Sequence, residues 1–411
     1  MEQSPLVAAI FVLTYTVIAI QRIPGIRIDR PSGVMVGGTL LVLTGLIGLR
    51  EAYGFVDADV LLFLLGMMIQ IAYLEHAGFF GWIAARIAAR ARSPARLLAL
   101  TLAASALLSA FFVNDTVCLL FTPILIQATR RLGLPPLPYL LAVALAANFG
   151  SALTITGNPQ NMYIGIQSGL PFLRFMLVMA VPVALALFLT YGALRLAYPV
   201  ETHGRPLAPL PAGAPEAPLA RTLCAKTLAA LALTLGLFIG GMDYPLAALV
   251  GASLIVVIGA VPPRQVFTRV DWNVLLFFAG LFVVMGAFAK AGYVTRLLDW
   301  VEPVFGGALP TLPLLSAFTV VFSNLVSNVP AVILIRPLIE HLGAGDALWI
   351  ALAMASTFAG NLTLVGSVAN LIVAEQASAQ GIALGFWAYL KVGLPLTLVA
   401  TALGTLWLMA F

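Results

Sequence analysis

The sequence predicts an all-α polytopic membrane protein made of two inverted five-span repeats, with about ten transmembrane helices, two re-entrant hairpins and two broken helices. Three observations predict it. The 411 residues are 62% hydrophobic and 9% charged, against roughly 25% charge in soluble domains, and the mean hydropathy is +1.06. Apolar runs recur at the length of a membrane span, about 20 residues. The chain also aligns with itself, without a gap, at one offset over 93 residues.

The first run, 6–20, is followed by Gln21-Arg22 and no small-residue cleavage site, so we read it as a retained span. Runs at 32–49, 59–76, 137–169, 171–195, 224–241, 245–261, 273–290, 345–378 and 383–411 complete ten spans. Two stretches, 97–129 and 311–340, are too long for one span and are broken by Asn114-Asp115-Thr116 and by Ser327-Asn328-Val329-Pro330. We expect both as re-entrant hairpins with their tips at mid-membrane, where irregular backbone survives only inside protein or beside an aqueous cavity. Segments 78–96 and 292–305 read as interfacial helices leading into the hairpins. Six prolines make 199–223 a linker. In this topology 16 Lys and Arg fall on one side and 5 on the other. The positive-inside rule then puts the linker in the cytoplasm and both termini in the periplasm of a bacterial-type inner membrane.

The internal match fixes the domain plan. At an offset of 214, Pro31 meets Pro245, Asp57 meets Asp271, Gly66 meets Gly280, Ser109 meets Ser323, Asn114 meets Asn328 and Pro123 meets Pro337. After a five-residue deletion the offset is 209, and Phe149, Thr154, Gly157 and Asn161 meet Phe358, Thr363, Gly366 and Asn370. Leu, Val and Ala match by chance in so apolar a chain; Asp, Pro, Asn and Thr do not. We expect repeats at 1–198 and 224–411. Five spans per unit turn the second unit upside down, the organisation of secondary transporters.

Four polar motifs interrupt the apolar runs. Two are the hairpin tips. Two break the spans that follow: Asn148…Thr154-Ile155-Thr156-Gly157-Asn158-Pro159-Gln160-Asn161 and Thr357…Asn361-Leu362-Thr363-Leu364-Val365-Gly366-Ser367…Asn370. A proline inside a helix removes a donor and clashes one turn back. The break leaves carbonyls free at one half-helix end, which attract a cation, and N–H groups at the other, which attract an anion. The candidate substrate-binding residues are Asn114, Thr116, Asn158, Asn161, Asn328, Asn361, Thr363 and Asn370. The candidate coupling-ion residues are Asp115, Ser109, Asn114, Gly157, Ser323, Asn328 and Gly366, with sodium at the hairpin tips as the candidate metal and no other cofactor. Asn114 and Asn328 also suit plain amide glue between helices. Asp115, whose repeat partner is Val329, is costly at mid-membrane. It either binds the coupling ion or caps the second hairpin helix. Glu75, His76, Glu340, His341 and Glu375 read as interface residues and Cys118 as packing. Arg336 is placed equally well beside an acid or an anionic substrate.

Phe111-Phe112-Val113-Asn114-Asp115-Thr116, Gly150-Ser151-Ala152…Gly157-Asn158-Pro159-Gln160-Asn161 and Ser327-Asn328-Val329-Pro330 resemble the ion transporter superfamily over nearly the whole chain. The nearest branch is that of arsenite and related anion permeases, with the divalent-anion/sodium symporters more distant. The resemblance implies an inverted repeat, hairpin tips meeting broken helices and, often, a homodimer. The family's sodium-coupled dicarboxylate members carry Ser-Asn-Thr at both tips. Here the second threonine is missing and the first tip gains an acid, which points away from a dicarboxylate.

We therefore expect a secondary active transporter, not an enzyme. It would carry a small anion or an arsenite-like metalloid by alternating access, coupled to protons or sodium. A sodium/proton antiporter using Asp115 is the alternative, followed by a membrane-embedded enzyme or a channel. His76, His203 and His341 show no metal-ligand spacing, and no Gly-x-Ser-x-Gly elbow or nucleotide-binding loop is present. The pI of 9.4 does not indicate nucleic acid, because no basic stripe with interleaved aromatics exists. The expected partners are the lipid bilayer and a small-molecule or ion substrate.

Overall fold

The computed structural model describes residues 4–20, 29–204, 207, 218–305 and 311–411. Most of the 199–223 linker lies outside the described residues. Among the described residues, eighteen helices are ten residues or longer, and there is no strand. The first nine are α1 (Pro5–Ile20), α2 (Arg30–Leu43), α3 (Ala58–His76), α4 (Phe79–Arg90), α5 (Pro94–Phe111), α6 (Asn114–Arg131), α7 (Leu137–Ser151), α8 (Pro159–Ser168) and α9 (Phe172–Ala197). Each has a counterpart nine places on: α10 (Arg221–Ile239), α11 (Tyr244–Ile258), α12 (Trp272–Lys290), α13 (Tyr293–Phe305), α14 (Thr311–Val326), α15 (Asn328–His341), α16 (Asp346–Ala359), α17 (Val368–Ala379) and α18 (Phe386–Ala410).

Local chemistry sets these boundaries at matched positions. Asp57 caps α3 by accepting from the Val60 N–H at 3.1 Å, and Asp271 caps α12 by accepting from Asn273 at 3.1 Å. Proline lies inside α6 and α15 at the matched positions Pro123 and Pro337, and inside α9 and α18 at Pro182 and Pro395. The hairpins break at Phe112-Val113 and at Ser327, as the polar tips predict.

Two expected spans come out short. α2 and α11 stop at Leu43 and Ile258, not near 49 and 261, which makes them about 21–23 Å long at 1.5 Å per residue. Gly45, at φ +72°, ends α2: its N–H bonds Val42 O, and the next N–H bonds Leu41 O. A short helix of about two turns, Leu49–Phe55, not foreseen, follows.

Packing repeats in pairs as well. α2 lies on α12 while α3 lies on α11; α5 lies on α7 while α14 lies on α16; α6 meets α17 while α15 meets α8. α9 and α18 pack on each other. Every one of these contacts maps onto another, or onto itself, when nine is added to each label, as a two-fold relation requires. α7 and α16 form the centre: every residue from Pro138 to Ser151 and from Trp349 to Ala359 is buried. Phe149 and Phe358, 209 positions apart, meet edge to face at 4.8 Å.

Ion pairs tie together chain ends that the charge pattern assigns to one face. Arg174 pairs with Asp346 at 2.9 Å on one side, as does Lys290 with Glu51, and Arg269 pairs with Glu75 on the other. The Lys290 ammonium, donating to Glu51, holds that carboxyl below its usual range. α5 and α7 approach so closely that a side chain on Gly150 would collide with the Ala106 backbone. We expect Gly150→Val to force these helices apart at a cost of about 1–3 kcal/mol. A thermal-unfolding midpoint equal to that of the unsubstituted protein would contradict this packing.

Candidate functional site

The site grows from two helix breaks. α7 ends at Ser151 and α8 begins at Pro159, whose missing N–H is no loss at a helix start. Asn158, in extended backbone, caps α8 by accepting from Asn161 N–H at 2.8 Å. In the second break a single tight turn, Leu364–Gly366, separates α16 from α17. There Ser367, 209 positions after Asn158, caps α17 through Ala369 N–H at 3.3 Å.

The freed carbonyls are satisfied in the same way twice. The Asn161 amide donates to Ser151 O at 3.3 Å and Thr154 O at 3.0 Å. The Asn370 amide donates to Gly360 O at 2.7 Å and Thr363 O at 3.2 Å. The breaks are then tied crosswise. Asn148 on α7 donates to Asn370 Oδ1 at 2.9 Å and accepts from Ser367 Oγ at 3.0 Å. Thr357 on α16 accepts from Asn158 Nδ2 at 3.2 Å and donates to Asn161 Oδ1 at 3.4 Å. Asn148 and Thr357 are themselves 209 apart.

Asn148 does more than its counterpart. It also accepts from Asn114 Nδ2 and donates to Asn361 Oδ1, both at 2.9 Å. Both N–H bonds and both lone pairs of its carboxamide are used. The first tip is held further by the Asn114 N–H on Gly157 O at 3.2 Å. Gly157 has no room for a side chain, because one would strike the Ser151 carbonyl. At the second tip Ser323 Oγ donates to Asn328 Oδ1 at 2.9 Å. Ser327 holds φ +76° and ψ 156°, a region that is nearly glycine-only and costs of order 1–3 kcal/mol.

Both tips and both breaks open on one cavity of about 220 Å³. Its wall includes Asn114, Asp115, Gln160, Ser327, Asn328, Gly366 and Ser367. Arg30, at the start of α2, and Asp271, at the start of α12, complete it. Arg30 and Asp115 attract each other across this space, and Asp271 repels Asp115. A second cavity of about 660 Å³ shares Arg30, Ser327 and Gly366 with the first and takes in Ser323 and Glu375.

The predicted residues fall into two layers. Asn114, Asp115, Asn328 and Gly366 face the central cavity, and Ser323 faces the larger one. Asn158, Asn161, Asn361 and Asn370 are buried behind the wall, bonded to the protein itself. Thr363 bonds Asn324 Oδ1 at 3.2 Å, Ser109 is fully buried in α5, and Thr116 is half-buried one residue past Asp115. Arg336 pairs with Glu340 and donates to Tyr163, on the exposed side of α15. Cys118 is buried in the core. Arg30 and Asp271 and the roles of Asn148 and Thr357 were not anticipated, and Gln160 and Ser367 were named only as members of the polar motifs. The 209-residue offset joining Asn148 to Thr357 was the signal for those two. Tyr389, which donates to Asn361 at 3.1 Å, had none.

A family model described as a citrate transporter matches residues 15–359. Two uncharacterized transporters of Mycobacterium tuberculosis are 32% identical to the chain, over 98% of each sequence. The silicon efflux transporter LSI3 of Oryza sativa is 28% identical over 93% of each. Among solved structures, the Alcanivorax borkumensis YdaH transporter shares the fold, with a TM-score of 0.60 at 16% identity over 98% of both chains.

Because Asn148 joins the first hairpin tip to the second break, Asn148→Ala strands four buried partners. At about 1–3 kcal/mol for an unsatisfied buried group, we expect a fall of several degrees in the unfolding midpoint. Asn148→Gln, which keeps the chemistry, should recover part of it. Equal midpoints for all three proteins would remove Asn148 from this role.

Proposed function

The chain belongs to the citrate transporter family of the ion transporter superfamily, and from that premise we propose that it is a secondary active transporter. It would carry a small, hydroxylated, neutral or singly charged solute, driven by a proton or sodium gradient. The observation that carries this is the convergence of two hairpin tips and two helix breaks on one cavity, with Asp115 as the only acid that the tips contribute.

The chemistry of the cavity supports the cargo class. Arg30 is the only cationic side chain among its described lining residues, and it stands with two carboxylates, Asp115 and Asp271. A trivalent tricarboxylate would meet a net negative wall. A polyhydroxylated oxyacid meets instead the amides of Asn114, Gln160 and Asn328 and the hydroxyls of Ser327 and Ser367, which both donate and accept. Arsenite-like and silicate-like species have that form, and a relative carries silicon in its name. Asp115 suits the coupling role because it is half-buried at a tip and faces Arg30. It can hold a proton or a sodium ion in one part of the cycle and pair with the arginine in another. The inverted arrangement of the repeats, and a cytoplasmic position for the arginine-rich face, follow from the odd span count and the charge split.

Uptake into proteoliposomes, with pH and sodium gradients imposed separately, tests the proposal. Asn114→Ala and Asn328→Ala should each lower transport at least tenfold while the protein stays monodisperse. Normal transport by either would reject the two-tip site. Asp115→Asn should retain substrate binding and lose accumulation driven by the gradient, since an amide neither titrates nor carries charge. Full accumulation by that variant would reduce Asp115 to a helix cap.

A further inference from the structure

The two halves of this molecule are alike in sequence and differ in what they close. On the face that carries the start of α3, Gln167 near the end of α8 donates to Asp57 Oδ2 at 2.7 Å. Asp57 at the same time caps α3 through its other oxygen. The repeat equivalents on the opposite face are Asp271, at an offset of 214, and Gln376, at an offset of 209. There Asp271 keeps its cap on α12 but is exposed and lines the central cavity. No hydrogen bond joins it to Gln376 among the described residues.

Everything around the two pairs follows the same asymmetry. Beside Asp57 and Gln167, Tyr244 at the start of α11 donates to the Leu170 carbonyl at 2.5 Å. Its ring stacks on Phe63 at 5.6 Å and meets Phe238 edge-on at 5.2 Å, and Phe238 in turn packs on Phe172 at 5.5 Å. The depression on this surface has Gly165 and Ile166 in its lining but no residue of the hairpin tip. The first tip is closed off from this surface, with Phe112 and Val113 buried. On the opposite face the residue equivalent to Tyr244 is Arg30. It lines both cavities, and the larger one reaches Ser323, Asn324 and Ser327 of the second tip. The connections differ too: residues 169–171 join α8 to α9, whereas 380–385 join α17 to α18. The shorter one sets Leu170 against Tyr244.

We propose that Asp57–Gln167 and Asp271–Gln376 are the two alternating latches of the transport cycle, the first shut and the second open in this structure. This rests on the transporter reading above. Each latch ties the second half of a broken helix to the capping aspartate of a scaffold helix. Because the partners sit at equivalent positions, shutting one face and opening the other exchanges one Asp–Gln bond for its twin. The hydrogen-bond count stays constant, so the difference between the two states is small. The rings around Tyr244 and the six-residue connection near Arg30 then bias which state is populated. On the charge assignment, the open face is the cytoplasmic one.

Accessibility tests this without any substrate. A single cysteine at Ile372, which lines the central cavity, is introduced with Cys118→Ala and Cys224→Ala. An impermeant maleimide is then added to right-side-out and to inside-out membrane vesicles. In the otherwise native protein, labelling should be faster from the Asp271 face. Gln167→Ala should raise labelling from the Asp57 face relative to the other by about tenfold, the worth of one hydrogen bond to a charged group. Gln376→Ala should shift the same ratio in the opposite direction. Shifts of the same sign, or none in either variant, would overturn the latches even if the protein transports. Opposite shifts in a protein that moved no tested solute would leave the latches standing and count against the cargo assignment. Both glutamines are half-buried near helix ends, and a size-exclusion profile matching the parent shows that each variant is folded.

Discussion

Breaking a helix inside an apolar medium frees backbone groups that water cannot reach, and the structure is organised around satisfying them. The Asn148 carboxamide is where that requirement concentrates. It spends all four of its hydrogen-bonding positions on Asn114, Ser367, Asn361 and Asn370, and so links the first hairpin tip, and the helix that leads into the first break, with the second break. A carboxamide is suited to this because it donates and accepts in equal measure without adding charge. A carboxylate at the same point would only accept, and its burial would cost far more.

That arrangement explains why the polar motifs divide into a wall and a frame. Asn158, Asn161, Asn361 and Asn370 are spent on bonds within the protein, whereas Asn114, Asp115 and Asn328 line the cavity. The frame is also where the two halves touch, through Asn148 and Thr357 and through the Phe149 and Phe358 rings. Unequal hydrogen bonding at these twin positions gives each half a different neighbour, although the backbone pattern is shared. The strained Ser327 backbone lies at the more open tip, where local energy is stored beside the cavity.

The family comparison fits this division. A fold shared with the YdaH transporter at 16% identity shows that the architecture tolerates extensive change in side chains. Here the helix breaks and their caps form the frame, and Arg30, Asp115 and Asp271 are the charges on the cavity wall.

Much of this was legible in the sequence. Apolar run length, the 214 and 209 offsets and the polar interruptions located the spans, the hairpins and both breaks, because backbone hydrogen bonding in an apolar medium leaves few alternatives. The tip residues Asn114, Asp115 and Asn328 were identified for the same reason. Span length was misjudged at α2 and α11, where Gly45 and the 259–262 turn end the helices before the apolar run does. Arg30 and Asp271 lie at span ends, where run length and polar interruptions mark no site; only the packing of α2 on α12 brings both to one cavity. Which asparagines face that cavity likewise depends on contacts between distant segments. A self-matching sequence assigns the two halves the same chemistry, and only the tertiary structure, which bonds Gln167 to Asp57 and, among the described residues, does not bond Gln376 to Asp271, gives them different contacts.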